Sequence, residues 1–572
     1  MVLSTKKPYP SQEWEASEEI TAPRPIQHRN KLSRTISGLD EDDARNRYEV
    51  EAEDNKVSLL DSAASSITAG QKEVIHWEDG DPANPYNWSS KKKAAIVSVG
   101  MLVVINSTMG SSLPSNAVPF ISKHFNITSS TAEILPISIY LIGYVVGPLF
   151  FGPLSESYGR QAIMVSTFLG FTIFTMACAL SPTWSSLLVF RFLTGVNASS
   201  PISIVGAMYA DVYDDPVARG RAVAVFTGGT CIGPLIAPII SGFVAPTSLG
   251  WRWSFWIGLI FAGASWPALL WLPETYGPVL LTRRARKLRA STNNPNIFAP
   301  LELEKKGFKQ MATVTLTRPL RMLVFELIVL ATCIYVSVAY AIFYMYFTAY
   351  PIIFEGIYKQ SPGVAGLMFL PIGAGTVGAI GIFLYYDSIL RKAQAANKPW
   401  TRKEEFRRIP LACLGGPLYV VALFWLGWTA RESIPFWVPM LAGIPFGIGF
   451  ILIFMALINY LTDAYEIFAA SAMAAASCCR SLAGAVLPFG ATALYGNLGV
   501  AWGTSLLAFL SLAMCVIPFM FLWKGDVLRE RSTFCRFLKE KKEKELEELA
   551  RERLQRARRQ GLESGKDIDE KV

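Results

Sequence analysis

Groups able to do chemistry are scarce within the apolar part of this 572-residue chain, and where they stand is informative. The stretch GPLSESYGRQ, residues 152 to 161, sets Glu156 and Arg160 four apart between two apolar runs, with Gly152 and Gly159 around them. Arg191 and Arg480 each interrupt an apolar run, and a cation there must face a cavity or a partner because burying it unpaired in lipid is costly. Glu133 and Glu326 stand at the ends of such runs and are the carboxylates available to carry a proton. These types offer ion pairing, proton carriage and gating, not covalent catalysis. The chain is therefore not expected to be an enzyme: hydrolase signatures, phosphate-cradling loops and metal-binding clusters are all missing. The three histidines, His28, His76 and His124, lie outside the apolar runs, which excludes a histidine proton relay in a membrane. The eight cysteines follow no spacing rule for disulfides or metal, so no cofactor and no metal are expected.

These residues need a frame. The chain is 51% hydrophobic and only 17% charged, with mean hydropathy +0.32. A helix crosses a bilayer in roughly 20 residues, and twelve apolar runs reach that length: about 94–113, 131–152, 162–181, 185–209, 221–244, 253–272, 323–347, 363–385, 410–428, 435–460, 468–493 and 500–523. Lipid obliges each segment to satisfy its own backbone polar groups, so these are helices. The expected fold class is an all-α polytopic membrane protein. Basic residues cluster after run 6 (Arg283, Arg284, Arg286, Lys287, Arg289, Lys305, Lys306, Lys309) and after run 8 (Arg391, Lys392, Arg402, Lys403, Arg407, Arg408), which places those loops and both termini in the cytoplasm. The net charge of +9 then reflects orientation beside an anionic inner leaflet, not nucleic-acid binding.

The expected organisation is a disordered cytoplasmic tail (1–92), a six-helix bundle (93–272), a cytoplasmic loop (273–322), a second six-helix bundle (323–523) and a charged, helical cytoplasmic tail (524–572). A weak repeat supports two bundles: Asp387 and Arg391 follow run 8 as Glu156 and Arg160 follow run 2.

GPLSESYGRQ resembles the cytoplasmic loop motif of the major facilitator superfamily, with Gly152, Leu154, Glu156, Gly159 and Arg160 in the motif positions; Glu156 replaces the usual Asp, and Ser157 a usual base. Arg191 and Gly195 in RFLTG resemble the family's intramembrane arginine motif. Gly229, Gly233, Pro234 and Gly242 in GGTCIGPLIAPIISG resemble the motif of drug and proton antiporters. With DPANPYNWS, ARGRA, WRWSFWIG, LPETYGPVLLTRRARKLR and NYLTDAYEIFAASA, residues 80 to 525 are similar to the fungal twelve-span drug:H+ antiporters of the benomyl and multidrug resistance type. The resemblance implies two six-helix bundles and proton-coupled export of small amphiphilic organic compounds by a monomer in the plasma membrane, with the vacuolar membrane as alternative. Nutrient uptake and polyamine export are the competing activities, and a membrane receptor with signalling tails is the competing class.

Roles follow as expectations. Glu156, Arg160 and Asp211 would form a conformational latch with Gly152 and Gly159 shaping its turn. Arg191 would bias protonation of Glu133 or Glu326. Gly229, Gly233, Pro234 and Gly242 would bend and seal span 5. Asn106, Tyr140, Tyr144, Asn197, Tyr335, Tyr340, Asn459 and Arg480 would line an apolar pocket suited to flat, neutral or weakly cationic amphiphiles. Asn126, in an external Asn-Ile-Thr, is the expected glycosylation acceptor.

Overall fold

The computed structural model describes residues 72–551 apart from 79, 304–307, 466–467, 545 and 548–550. Lys305, Lys306 and most of the 524–572 tail beyond residue 547 lie outside the described residues, as does the chain before residue 72.

The first half carries helices α1 (Ser90–Ser112), α2 (Ser130–Tyr158), α3 (Arg160–Ala179), α4 (Trp184–Val212), α5 (Pro216–Val244) and α6 (Arg252–Trp271). The second carries α7 (Leu327–Tyr350), α8 (Leu370–Ala395), α9 (Glu405–Thr429), α10 (Gly443–Tyr465), α11 (Ala469–Val486), α12 (Ala491–Met514) and α13 (Val516–Arg531). Among the described residues, eleven helical stretches are long and apolar enough to cross a membrane, the last running over 63 residues, Ala469–Arg531. That is about three times the length one crossing needs, and it breaks at Gly499, whose φ of 71° and ψ of 173° are not helical. Counted as two crossings, it brings the total to the twelve runs read in the sequence.

Glycines set how closely the helices pack. A Cβ on Gly143 of α2 would lie 2.5 Å from the backbone nitrogen of Val196 in α4, and one on Gly195 of α4 would strike the backbone of Tyr140 in α2. The second half uses the same device: Gly415 of α9 would meet the backbone oxygen of Gly449 in α10 at 2.9 Å, and Gly447 of α10 would strike Ile372 of α8. Small residues replace side-chain volume with backbone contact, the main source of helix association where lipid tails are as apolar as the helices. Large apolar side chains such as Ile260, Trp502 and Trp523 are 62%, 59% and 81% exposed and form the lipid-facing surface.

Residues 73–78 and 80–89, expected to belong to a disordered tail, are ordered. Two short strands, β1 (Glu73–Val74) and β2 (Ile297–Phe298), pair in parallel. Ile75 and Trp77 pack on Leu281, Ala285, Ile297 and Ala299 of the central loop, and Arg284 pairs with Asp81. Burial of the indole, backbone pairing and one ion pair together offset the entropy of ordering the segment.

Candidate functional site

The cytoplasmic turn is built first by Gly159. Helix α2 ends at Tyr158 and α3 begins at Arg160, so a single residue reverses the chain, and its φ of 102° lies where only glycine is at ease. A side chain there would also collide with the Glu274 carboxylate. Gly152 does not share this role: it lies inside α2, and a Cβ on it would meet nothing within 4 Å. Arg160 donates through Nε to Asp211 of α4 at 3.2 Å and through a terminal nitrogen to Ser155 Oγ at 2.7 Å, while its guanidinium lies 4.7 Å from the Tyr276 ring. Glu156 is exposed and pairs with neither Arg160 nor Asp211, because the helix end turns it outward.

Glu274, three residues beyond α6, is a member the sequence reading missed. Its carboxylate accepts from the backbone nitrogens of Arg160 (2.9 Å) and Gln161 (3.3 Å), capping the amino end of α3. A carboxylate suits that position because the first N–H groups of a helix lack partners and its dipole is positive there. The signal was present in LPETYG, an acid set just after a membrane span; sequence alone does not say which helix end it reaches.

Arg191 is 1% exposed. It donates to the carbonyls of Pro136 (2.7 Å), Gly110 (2.7 Å) and Ser111 (2.8 Å), and its guanidinium lies 4.4 Å from the Tyr140 ring. Gly110 and Ser111 belong to the last turn of α1, where carbonyls have no partner within the helix. Arg191 thus caps the negative end of α1, and it contacts neither Glu133 nor Glu326, contrary to the expected coupling. Glu133 is half-buried in the first turn of α2. Glu326 is 2% exposed at the start of α7, accepting from the Tyr465 hydroxyl at 2.9 Å and from the Phe534 nitrogen at 3.4 Å. That site belongs to the cytoplasmic end of the second half.

Helix α5 forms a seam. A Cβ on Gly233 would lie 2.6 Å from the Ile105 carbonyl and 2.7 Å from the Met109 nitrogen of α1, and one on Gly229 would strike the Met101 side chain. The carbonyl of Pro234 accepts from Ser112 Oγ at 2.9 Å. Towards the external end, Gly242 lies against the backbone of Pro362, and a Cβ on Gly366 would be 2.7 Å from the Pro238 carbonyl. Both partners belong to the short helix Pro362–Leu367 that leads into α8. Asn116 donates to the Pro362 carbonyl at 3.0 Å and Ser111 bonds Tyr344 of α7 at 2.8 Å. The external ends of the two halves are therefore in direct contact at these points.

The expected pocket residues separate into two groups. Tyr140, Tyr144, Tyr340 and Tyr344 lie together at mid-depth: the rings of Tyr140 and Tyr144 are 5.2 Å apart and those of Tyr340 and Tyr344 4.8 Å. The Tyr340 and Tyr344 hydroxyls are 3.4 Å apart, and Tyr144 bonds Ser107 at 2.5 Å. Arg480 of α11 reaches this cluster, its guanidinium 4.8 Å from the Tyr340 ring. Asn106, Asn197 and Tyr335 do not join it. Asn106 donates to Ser265 of α6 at 2.8 Å and lines a closed space of about 10 Å³ beside Arg191, far below the ~300 Å³ of a small-molecule site. Asn197 faces Gly170 of α3, and Tyr335 faces Cys515 at 3.7 Å within the second half. Helical periodicity told which residues were polar but not which neighbour each face met. Asn459 is half-buried on α10, and Asn126 is the exposed left-handed cap of the external helix Val118–Phe125.

The sequence profile of the Major Facilitator Superfamily matches residues 100–488, most of the chain and both halves of this architecture. The protein belongs to the major facilitator superfamily. Among its superfamily relatives, the citrinin biosynthesis cluster MFS transporter mrr1 of Monascus ruber is 36% identical over 90% of this chain and 99% of its own length. Efflux pump FUB11 of Gibberella moniliformis is 39% identical over 77% of this chain and 74% of its own. Polyamine transporter 3 of Saccharomyces cerevisiae is 35% identical over 80% and 73%. The fold is shared with a proton:xylose symporter, XylE (TM-score 0.56, 17% identity, 76% of this chain and 96% of that one), and with the human organic anion transporter MFSD10 (TM-score 0.52, 16%, 74% and 99%). This superfamily member is thus a multi-pass membrane transporter of small molecules. Within it the α2–α3 turn, the α1 cap and the α5 seam position the tyrosine cluster between the two halves.

Proposed function

We propose that this transporter is a proton-coupled antiporter that exports small amphiphilic organic compounds by alternating access, acting as a monomer in the plasma membrane. The observation that carries this reading is the α5 seam. Backbone packing of Gly242 on Pro362 and of Gly366 on Pro238 joins the external ends of the two halves, so a compound reaching the tyrosine cluster from the cytosol would meet a closed outer end until the halves rock. The names of relatives described as efflux pumps agree with it. Dedicated polyamine export fits less well, because among the described residues the contacts of the tyrosine cluster include no carboxylate to receive an amine.

Glu326 is the proposed proton carrier. It is buried, and its partners come from α10 and from the segment after α13, so gaining or losing a proton changes how three elements join. Asn126 is the proposed glycosylation site. Dye efflux and drug tolerance in cells with and without the protein, at two external pH values, test the reading: efflux should fall when the proton gradient is collapsed, and Glu326→Gln should remove that dependence. Gradient-independent efflux would refute antiport, and net import would favour nutrient uptake.

A further inference from the structure

Within the membrane spans every carboxylate stands near an end: Glu133, Glu156, Asp211, Glu355, Asp387, Glu405, Asp463 and the acids closing α13. Two arginines lie deeper, and their surroundings differ. Arg191 is saturated by three carbonyls. Arg480 is half-buried and has a single hydrogen bond, at 3.4 Å to Ser477 one turn back on its own helix, besides the face of Tyr340. Among the described residues no carboxylate pairs with it. A cation in a span is stable only against water, a counter-charge or a π face, and here the protein supplies the last alone.

The position of this cation matters. Tyr340 sits between the two halves, since a Cβ on Gly484 of α11 would meet it at 2.9 Å and Leu141 of α2 at 3.4 Å. Its hydroxyl continues through Tyr344 to Ser111 of α1. On the α2 side, Cys478 donates to the Val145 carbonyl at 3.4 Å, so α11 approaches the first half beside Arg480. An unneutralised guanidinium therefore faces an aromatic wall at the seam that alternating access must open.

We infer that this site selects anionic aromatic amphiphiles, with Arg480 as the anchor for a carboxylate and the tyrosines as the surface on which the ring system stacks. The inference rests on the export reading above and names its substrate class. Guanidinium is suited to the task because its planar fork matches a carboxylate in two parallel hydrogen bonds, and neutralising it on loading favours the occupied state. A cationic amphiphile would meet like charge there.

The test uses cells expressing the full chain, loaded with naphthoic acid or pyrenecarboxylic acid and, in parallel, with the corresponding carboxamides; a neutral lipophilic dye reports export in general. The acids should leave at least about tenfold faster than the amides, a difference of about 1.4 kcal/mol. Arg480→Gln should abolish that preference, bringing the ratio of acid to amide export to about one and lowering acid export more than dye export, and Arg480→Lys should retain part of it, with membrane delivery checked for each. Equal export of acid and amide, or equal loss of acid, amide and dye in Arg480→Gln at normal delivery, overturns the inference. Export of dye without acid overturns it and leaves the efflux reading standing, whereas export of nothing overturns both.

Discussion

At the cytoplasmic corner of the first half, Arg160 at the start of α3 meets Asp211 at the end of α4; at the same place in the second half, Arg408 near the start of α9 meets Asp463 at the end of α10, both at 3.2 Å. Each corner is also reached from the far end of its half, by the chain just after α6 in the first and by α13 in the second. In the first half an acid, Glu274, grips the amino end of α3; in the second a base, Arg529 of α13, pairs with Glu404 and Glu405 at the amino end of α9. The two halves thus solve one problem with opposite charge. A helix start needs negative charge: α9 carries it in its own sequence and must then neutralise it, whereas α3 starts on an arginine and must borrow it. The corners also differ in depth, since the Arg160 and Asp211 side chains are 7% and 14% exposed and those of Arg408 and Asp463 22% and 43%. Buried pairs are costly to break and exposed ones nearly neutral.

Four substitutions, with Arg408→Ala as reference, would break or sharpen this contrast, read as shifts in thermal unfolding of the purified protein and as dye efflux. Arg160→Ala should have the largest effect, about 3–5 kcal/mol, since it leaves Asp211 largely buried without its cation; a loss no larger than that of Arg408→Ala would make the two corners equivalent after all. Next, Glu274→Gln should cost roughly 1–2 kcal/mol by weakening charge-assisted bonds to the α3 amino end. Arg529→Gln should cost about as much, roughly 1–2 kcal/mol, because Glu405 is buried and loses its cation although the glutamine keeps a donor, while Glu404 is open to water. Asp463→Asn should be smallest, below about 1 kcal/mol, and a large effect would show that the second corner is buried during part of the transport cycle. If these corners also latch the halves, Arg160→Ala should change efflux rates even in molecules that reach the membrane intact, while Asp463→Asn should not.

Outside these corners, the legibility of the sequence varied with how local each signal was. The turn at Gly159 could be read from GPLSESYGRQ because one glycine between two long apolar runs leaves the backbone little alternative. The close approach of α5 could be read from GGTCIGPLIAPIISG because absent side chains permit contact whatever the partner. Arg191 was legible as a cation needing a partner, but the partner proved to be backbone, and carbonyls at a helix end carry no residue-type signature. Asn106, Asn197 and Tyr335 were legible as polar groups in apolar helices and then misassigned to the pocket, since a helix in a two-layer bundle meets neighbours on several sides. Glu274 was passed over because an acid beside a membrane span ordinarily needs no explanation.

What the sequence determined by itself was the number of crossings, their orientation and the superfamily, because run length, basic-loop asymmetry and glycine-bearing motifs act over a few residues at a time. Only the tertiary structure decided which charges meet. Arg160 finds an acid 51 residues away with its guanidinium and another 114 away with its backbone nitrogen, Arg191 finds three carbonyls on two other helices, and Arg480 finds a tyrosine face and, among the described residues, no counter-charge. Those pairings depend on helix rotation and depth, which packing against several neighbours sets at once.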